Sequence, residues 1–426
     1  MVLATNRFDS FFGTLMSRKP TYNIVMYSHD TYGLGHIRRT MAIATRLRSP
    51  QTNVLILTGS PIAGRFSFPE QIDFVRIPGM IKKTNEEYLP LSIKINPKQA
   101  LDIRKNIITA TVKTFQPDLF IVDKEPLGLK KEILPTLKWL ERWHPQTKTV
   151  LGLRDIMDDA FTIKKAWKNK NIYKILDKYY SEIWTYGNRE FYDPIKEYNI
   201  PDAIHQKIFF TGYIPRAVVK KKDALKEKGR YKIGMEEKLV VVTTGGGGDG
   251  YPVMDSYLTM LERFGMQFPF RSVLITGPFM PKHQRSNIFK RGRKLGVLVF
   301  HFYRQMEKIL AAADLVVSMG GYNTLCELMS QKTLTLLIPR ETPRMEQSIR
   351  ARCFKERNLV EYIPWESLSP EMLSQKINSL LESPAPYYQA MADFRMTAFN
   401  VMRDRIQTFR NLCHDPKQTA CVGVYP

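Results

Sequence analysis

Two glycine turns in the second half of this 426-residue chain have the neighbours of a diphosphate site. Residues 238–250 read KLVVVTTGGGGDG, and residues 313–328 read ADLVVSMGGYNTLCEL. In each, an apolar run of β type meets glycines and then a helical pattern. Such a unit lets bare backbone N–H groups and a helix N-terminus approach a phosphate. Gly245, Gly246, Gly247 and Gly248 form the first turn. Gly320 and Gly321 open the second helix, where Asn323 and Thr324 can cap it or bond phosphate. Glu327 lies one to two turns inside that helix. It can take both hydroxyls of a ribose, or simply complement the helix dipole. The next loop, RETPRMEQSIRA, adds Glu346 and Gln347 for sugar hydroxyls and Arg340 and Arg344 for phosphate charge. Gly245 to Gly250 formally fits GxGxxG. The following strand, however, ends in Thr276-Gly277-Pro278, without the carboxylate a nicotinamide enzyme uses to hold ribose. No GKS or GKT occurs, which argues against a P-loop nucleotidase.

The elements that must position these residues alternate strand and helix. In the first half the strands are TYNIVMYS (21–28), VLILTG (54–59), DFVRIPG (73–79), PDLFIVD (117–123), TKTVLGLRD (147–155), SEIWTYG (181–187) and KIFFTGY (207–213). In the second half they are LVVVTT, SVLITG (272–277), VLVFHF (297–302), LVVSMG (315–320), LTLLIP (334–339) and LVEYIP (359–364). This alternation predicts an α/β protein with two Rossmann-like, doubly wound parallel sheets, facing each other with chemistry between them. The expected organisation is an extension (1–20), a first domain (21–215), a linker (216–236), a second domain (237–385), and a tail (386–426) whose helix packs back on the first domain. Residues 80–97 read as a loop or a short helical excursion. Ligands of open parallel sheets bind beyond the carboxyl ends of the strands. In the first half those ends carry His29-Asp30, the glycine turn DTYGLGH with Gly33, Gly35 and His36, then Asp123-Lys124-Glu125 and Arg154-Asp155.

Composition is that of a globular chain, 43% hydrophobic and 25% charged. No stretch approaches the roughly 18 apolar residues of a spanning helix, and the N-terminus does not read as a signal peptide. Cys326, Cys353, Cys413 and Cys421 show no CxxC spacing and read as reduced thiols, which points to the cytoplasm. Net charge is +23. Residues 1–235 hold 40 Lys and Arg against 23 Asp and Glu, while the rest holds 24 against 18. An anionic membrane surface or an anionic substrate would suit the basic half. Met80, Ile81, Tyr88 and Leu89, and the segment KKAWKNKNIYKILDKYY (164–180), are candidate membrane-facing residues. Zinc-finger, RNP and basic-heptad patterns are absent, so nucleic acid is not an expected partner.

GGGGDG, ADLVVSMGGYNTLCEL and IPRETPRMEQSIRA together resemble the C-terminal half of glycosyltransferase family 28, the MurG-like transferases. Residues 22–47 resemble its N-terminal half more loosely. The resemblance implies a GT-B fold, with a nucleotide-sugar on the second domain and an acceptor on the first. It implies that Glu327 holds ribose, that the two glycine turns with Asn323 and Thr324 meet the diphosphate, and that Tyr303 and Met306 flank the uracil. Glu346 and Gln347 would read the donor sugar. The expected reaction moves a hexose or N-acetylhexosamine from a UDP-sugar to a lipid-linked or glycan acceptor, with inversion. No DxD motif occurs, so no metal or other cofactor is expected. His36 is the first candidate for the base, with Asp30, Asp123 and Glu125 behind it, and Arg154 and Asp155 on the acceptor side. A nucleotide-sugar 2-epimerase and a catalytically inactive nucleotide-sugar-binding protein are the alternatives. The expected location is the cytoplasm, peripheral on the inner face of its membrane.

Overall fold

Fully buried β-branched and aromatic runs form two parallel sheets in the computed structural model, which describes residues 21–29, 35–82, 87–234, 236–265 and 269–413. The first sheet has the order β3-β2-β1-β6-β7-β8-β9. Its strands are β1 (Tyr22–Ser28), β2 (Thr52–Thr58), β3 (Ile72–Arg76), β6 (Leu119–Asp123), β7 (Lys148–Arg154), β8 (Glu182–Tyr186) and β9 (Ile208–Phe210). β4 (Met80–Lys82) and β5 (Tyr88–Pro90) form a separate antiparallel pair. The second sheet has the order β12-β11-β10-β13-β14-β15. It comprises β10 (Lys238–Thr243), β11 (Phe270–Ile275), β12 (Leu298–Phe300), β13 (Leu315–Ser318), β14 (Thr335–Leu337) and β15 (Glu361–Tyr362).

Strand order reverses between β1 and β6 in one sheet and between β10 and β13 in the other. At such switch points the two following crossovers leave on opposite sides, so a crevice opens beyond the strand ends. The first glycine turn follows β10 and the second follows β13. The turn before His36 follows β1, and Asp123 ends β6.

Three stretches differ from their reading as sequence. Within residues 80–97, Met80–Lys82 pairs antiparallel with Tyr88–Pro90, Ile81 opposite Leu89, and Met80 is buried with Ala100 and Leu129, while 91–96 are loop as expected. In the lysine-rich stretch 216–236, Lys221–Arg230 forms a helix with Ala224, Glu227 and Lys228 buried. Its two buried charged residues have partners: Lys228 meets Asp314 at 3.1 Å, and Glu227 accepts from the Tyr303 hydroxyl. In 164–180, Trp167, Leu176 and Tyr180 pack into the core of the first half. Met80, Trp167 and Tyr180 are therefore not a membrane-facing surface; the lysines of that segment line the solvent side of two amphipathic helices.

The helix Ala398–Cys413 lies against the first sheet's helix Gly35–Leu47. Arg405 pairs with Glu182 at the start of β8, and Arg410 donates to Thr52 at 2.6 Å and stacks on Tyr22.

Candidate active site

The glycine turn after β10 needs glycine for a steric reason. Gly245 and Gly247 have φ of +65° and +86°, and a Cβ on Gly247 would stand 2.0 Å from the Thr276 carbonyl oxygen. Gly320, after β13, has φ +75°. Gly321 then leads into the helix Tyr322–Gln331, and Thr324 Oγ1 lies 3.7 Å from the Cβ position of Gly245. The two turns thus meet at the switch point, where the helix adds its unpaired N–H groups and partial positive charge.

The side chains around this point are already engaged. Glu327 accepts from Arg38 of the first half at 3.3 Å. Asn323 bridges the halves rather than waiting for phosphate: its Nδ2 donates to the Gly35 carbonyl at 3.0 Å, and its Oδ1 accepts from Arg216 at 2.9 Å. Tyr303 and Met306 are core residues. The Tyr303 hydroxyl meets Glu227 and Tyr231, so any contact of these two residues with a base is left to the backbone. Glu346 and Gln347 begin the helix Glu346–Lys355. Arg340 donates to both, through Nη2 to Glu346 and through its backbone N–H to Gln347, and its Nε lies 3.3 Å from Asp249 of the glycine turn. Glu346 Oε2 is buried without a hydrogen-bond partner among the described residues, an acceptor free for a hydroxyl. Arg344 Nε lies 3.9 Å from Asp158 of the first half.

On the opposite side, β1 and β6 bring His36 and Asp123 together. His36 Nδ1 is 2.5 Å from Asp123 Oδ2, and Arg39 Nη2 donates to Asp123 Oδ1 at 2.5 Å. Asp123 is saturated by these two partners, so it orients His36 and is not a base in its own right. Burial opposes its charge, but the Arg39 guanidinium and His36 outweigh burial and hold the carboxyl well below the usual range. Burial lowers the His36 pKa to about 4, against the pull of Asp123. With Nδ1 committed to the carboxylate, the neutral ring presents Nε2 as an acceptor. His29 is buried with its ring 5.8 Å from that of His36, and burial keeps it neutral as well.

The remaining candidates divide. Asp30 and Gly33 lie outside the described residues. Gly35 starts the His36 helix and carries the carbonyl that Asn323 grips. Glu125 is partly exposed beside Lys124, 3.8 Å away, and makes no bond to the dyad. Lys124 sits at φ +68°, and burial lowers its pKa to about 8. Arg154 is partly buried, with its pKa lowered to about 10 by burial and by Arg350 and Arg39. Asp155 does not face an acceptor. It is fully buried and accepts from the Tyr213 hydroxyl and the Ile156 N–H, so it is a packing residue.

Residues 217–406 match the glycosyltransferase family 28 C-terminal domain. The second half of the chain is thus similar to a glycosyltransferase family 28 C-terminal domain. A UDP-N-acetylglucosamine--N-acetylmuramyl-(pentapeptide) pyrophosphoryl-undecaprenol N-acetylglucosamine transferase of Bacillus cereus is 24% identical over 176 residues, which is 41% of this chain and 48% of that protein. The chain thus spans about half the length of this relative and its Bacillus counterparts. The transferase of the same name from Alkaliphilus oremlandii is 23% identical over 359 residues, 82% of this chain and 87% of that one. Among solved structures, Acinetobacter baumannii MurG superposes with a TM-score of 0.56 at 12% identity, covering 91% of this chain and all of that one. A Polygonum tinctorium UDP-glucosyltransferase superposes with a TM-score of 0.62 at 12% identity, covering 92% and 99%. The fold is GT-B, two Rossmann-like α/β halves across a cleft.

The second half is seated on the first by polar rivets as well as by packing. Arg350, fully buried, donates to the Gly320 carbonyl of its own domain and to the Ile156 carbonyl across the cleft. Asp158 accepts from the Met345 N–H at 2.8 Å. Phe191 and Tyr213 of the first half pack with Phe354 of the second half and with Phe394, ring centroids 5.1–5.7 Å apart. This geometry can accept a proton at one wall of the cleft and bind a diphosphate at the other. Arg38, Arg39 and Arg216 were not singled out from sequence. Their only signal is adjacency: the pair Arg38-Arg39 follows His36 within one helical turn, which sends the two side chains to different partners.

Proposed function

We propose that the protein transfers a hexose or N-acetylhexosamine from a UDP-sugar to a hydroxyl of a lipid-linked or glycan acceptor, with inversion and without a metal. The observation that carries this reading is the His36–Asp123 pair set opposite the two glycine turns and Glu327. In the proposed step His36 Nε2 takes the proton of the acceptor hydroxyl, whose oxygen attacks the anomeric carbon. The bond from that carbon to the diphosphate oxygen breaks, and its electron pair leaves with UDP. Asp123 stabilises the imidazolium that forms. The helix start at Tyr322 and the bare N–H groups of the glycine turns receive the departing charge. Attack from the face opposite the leaving group inverts the carbon. Glu327 takes the ribose, and Glu346 with Gln347 takes the sugar. The division into an acceptor half (21–215) and a donor half (237–385) belongs to the same proposal.

The printed names of the transferases above support a UDP-sugar donor and a lipid-linked acceptor. No helix among the described residues is long and apolar enough to cross a membrane. The net charge of +23 supports a cytoplasmic enzyme docked on an anionic inner membrane face.

Calorimetric titration with UDP, GDP, dTDP and NAD, followed by transfer assays in EDTA with lipid and glycan acceptors, tests the reading. UDP is expected to bind selectively. Glu327→Ala should weaken UDP at least tenfold, while His36→Ala should keep UDP binding and lose 10²–10⁴-fold in transfer, about the contribution of a positioned base. Turnover of a UDP-sugar without acceptor would mark an epimerase, and UDP binding without any turnover an inactive binding protein.

A further inference from the structure

The departing diphosphate carries more negative charge than a helix N-terminus, worth roughly half an elementary charge, can offset. A cation is needed there, and most arginines around the turns are committed elsewhere. Arg39 is tied to Asp123, and Arg350 to two carbonyls in the core. Arg340 holds Glu346 and lies close to Asp249. Arg344 leans toward Asp158, on the acceptor side. Arg216 is bonded to Asn323 and to the Arg38 carbonyl.

Arg38 differs from all of these. Its side chain is 35% exposed, and its one ion pair among the described residues is the 3.3 Å contact to Glu327. Its backbone is fixed at the helix start: Arg216 donates to its carbonyl at 3.4 Å, and three residues earlier Asn323 grips the Gly35 carbonyl. A pinned backbone with a loosely held guanidinium can swing without moving the cleft wall. Its present partner is the same carboxylate that the proposed function gives to the ribose.

We propose that Arg38 is the cation that neutralises the leaving diphosphate, and that a nucleoside ribose frees it for this by taking Glu327. The inference rests on the donor reading above. When the ribose hydroxyls bond Glu327, they displace the guanidinium, which lies within a side-chain swing of the helix start at Tyr322. Its N–H groups then donate to the phosphate oxygens as the sugar–oxygen bond breaks; no bond to Arg38 forms. Ribose and diphosphate are thereby read together, so a nucleoside lacking phosphate displaces Arg38 without return.

Calorimetric titration of wild type, Arg38→Gln, Arg38→Lys and Glu327→Gln with uridine and with UDP tests this. In Arg38→Gln the ratio of UDP to uridine affinity should fall at least tenfold, with uridine unchanged or tighter because Glu327 is no longer occupied. Arg38→Lys should recover part of the ratio. Glu327→Gln should weaken uridine while keeping the phosphate contribution. Transfer by Arg38→Gln should lose mainly kcat. If Arg38→Gln changes uridine and UDP alike, or neither, the assignment of Arg38 is wrong while the donor reading stands. If wild type binds neither ligand, both fall.

Discussion

At the residue scale the deciding contact is His36 to Asp123. A histidine in a first helical turn has many uses. A histidine whose Nδ1 is bound by a buried carboxylate, itself locked by Arg39, has one free nitrogen and a fixed orientation. The sign of its titration follows from burial, which lowers its pKa to about 4 from the ordinary 6.5. The folded state therefore prefers the neutral ring. Above pH 6.5 that preference costs nothing; as pH falls from 6.5 toward 4, the unfolded chain binds the proton first and stability declines. His36, the proposed base, stays deprotonated through the same interval. The acid limb of transfer rate against pH should therefore have its midpoint near 4. Asp123→Asn should leave Arg39 without its carboxylate and remove most of the transfer rate. A limb near 6.5 in the wild type would show that a more exposed group is the base.

At the element scale the carboxyl end of β1 is braced from below. Tyr27 donates to Glu132, and Arg104 of the helix Pro97–Phe115 forms a two-point pair with the same carboxylate, at 2.5 and 2.6 Å. Arg104 also donates to the Pro78 carbonyl after β3. Both charges are essentially inaccessible to water. Such a pair adds little beyond a well-packed apolar substitute, but breaking it leaves a buried charge. Arg104→Ala should lower stability by about 3–5 kcal/mol in urea unfolding. The combined Arg104→Met and Glu132→Gln variant should recover much of that loss. An Arg104→Ala protein of wild-type midpoint would mean that water already reaches Glu132.

At the scale of the whole molecule the two halves share one buried cluster, with Tyr186, Tyr213 and Ile214 on one side and Tyr322, Phe354 and Leu325 on the other. Arg350 crosses this seam, with its guanidinium carbon 5.6 Å from the centre of the Tyr322 ring. The halves should therefore unfold as one unit. Arg350→Leu keeps the packing but removes the bonds to Gly320 and Ile156. It should split urea unfolding into two steps, with the fluorescence of Trp184 and Trp167 in the first half changing apart from that of Trp365 in the second. A single coincident transition would place the coupling in the aromatic contacts alone.

The local patterns of this chain were enough to determine its strands, its two sheets and its glycine turns. Buried parallel strands are continuous apolar runs, and left-handed turns demand glycine, so both leave a trace in neighbouring residues. His36 and Glu346 were singled out because each stands at a helix start, and Glu327 because it lies one to two turns inside the helix that follows the second glycine turn. The hairpin at β4–β5 was hidden because two three-residue strands carry too little periodicity. The contacts of Arg38, Asn323 and Asp123 were decided by tertiary structure alone. Asp123 and His36 are 87 residues apart, and Arg38 and Glu327 are 289 apart. An ion pair depends on distance in space: the pairing of β1 with β6 brings His36 to Asp123, and the meeting of the two halves brings Arg38 to Glu327.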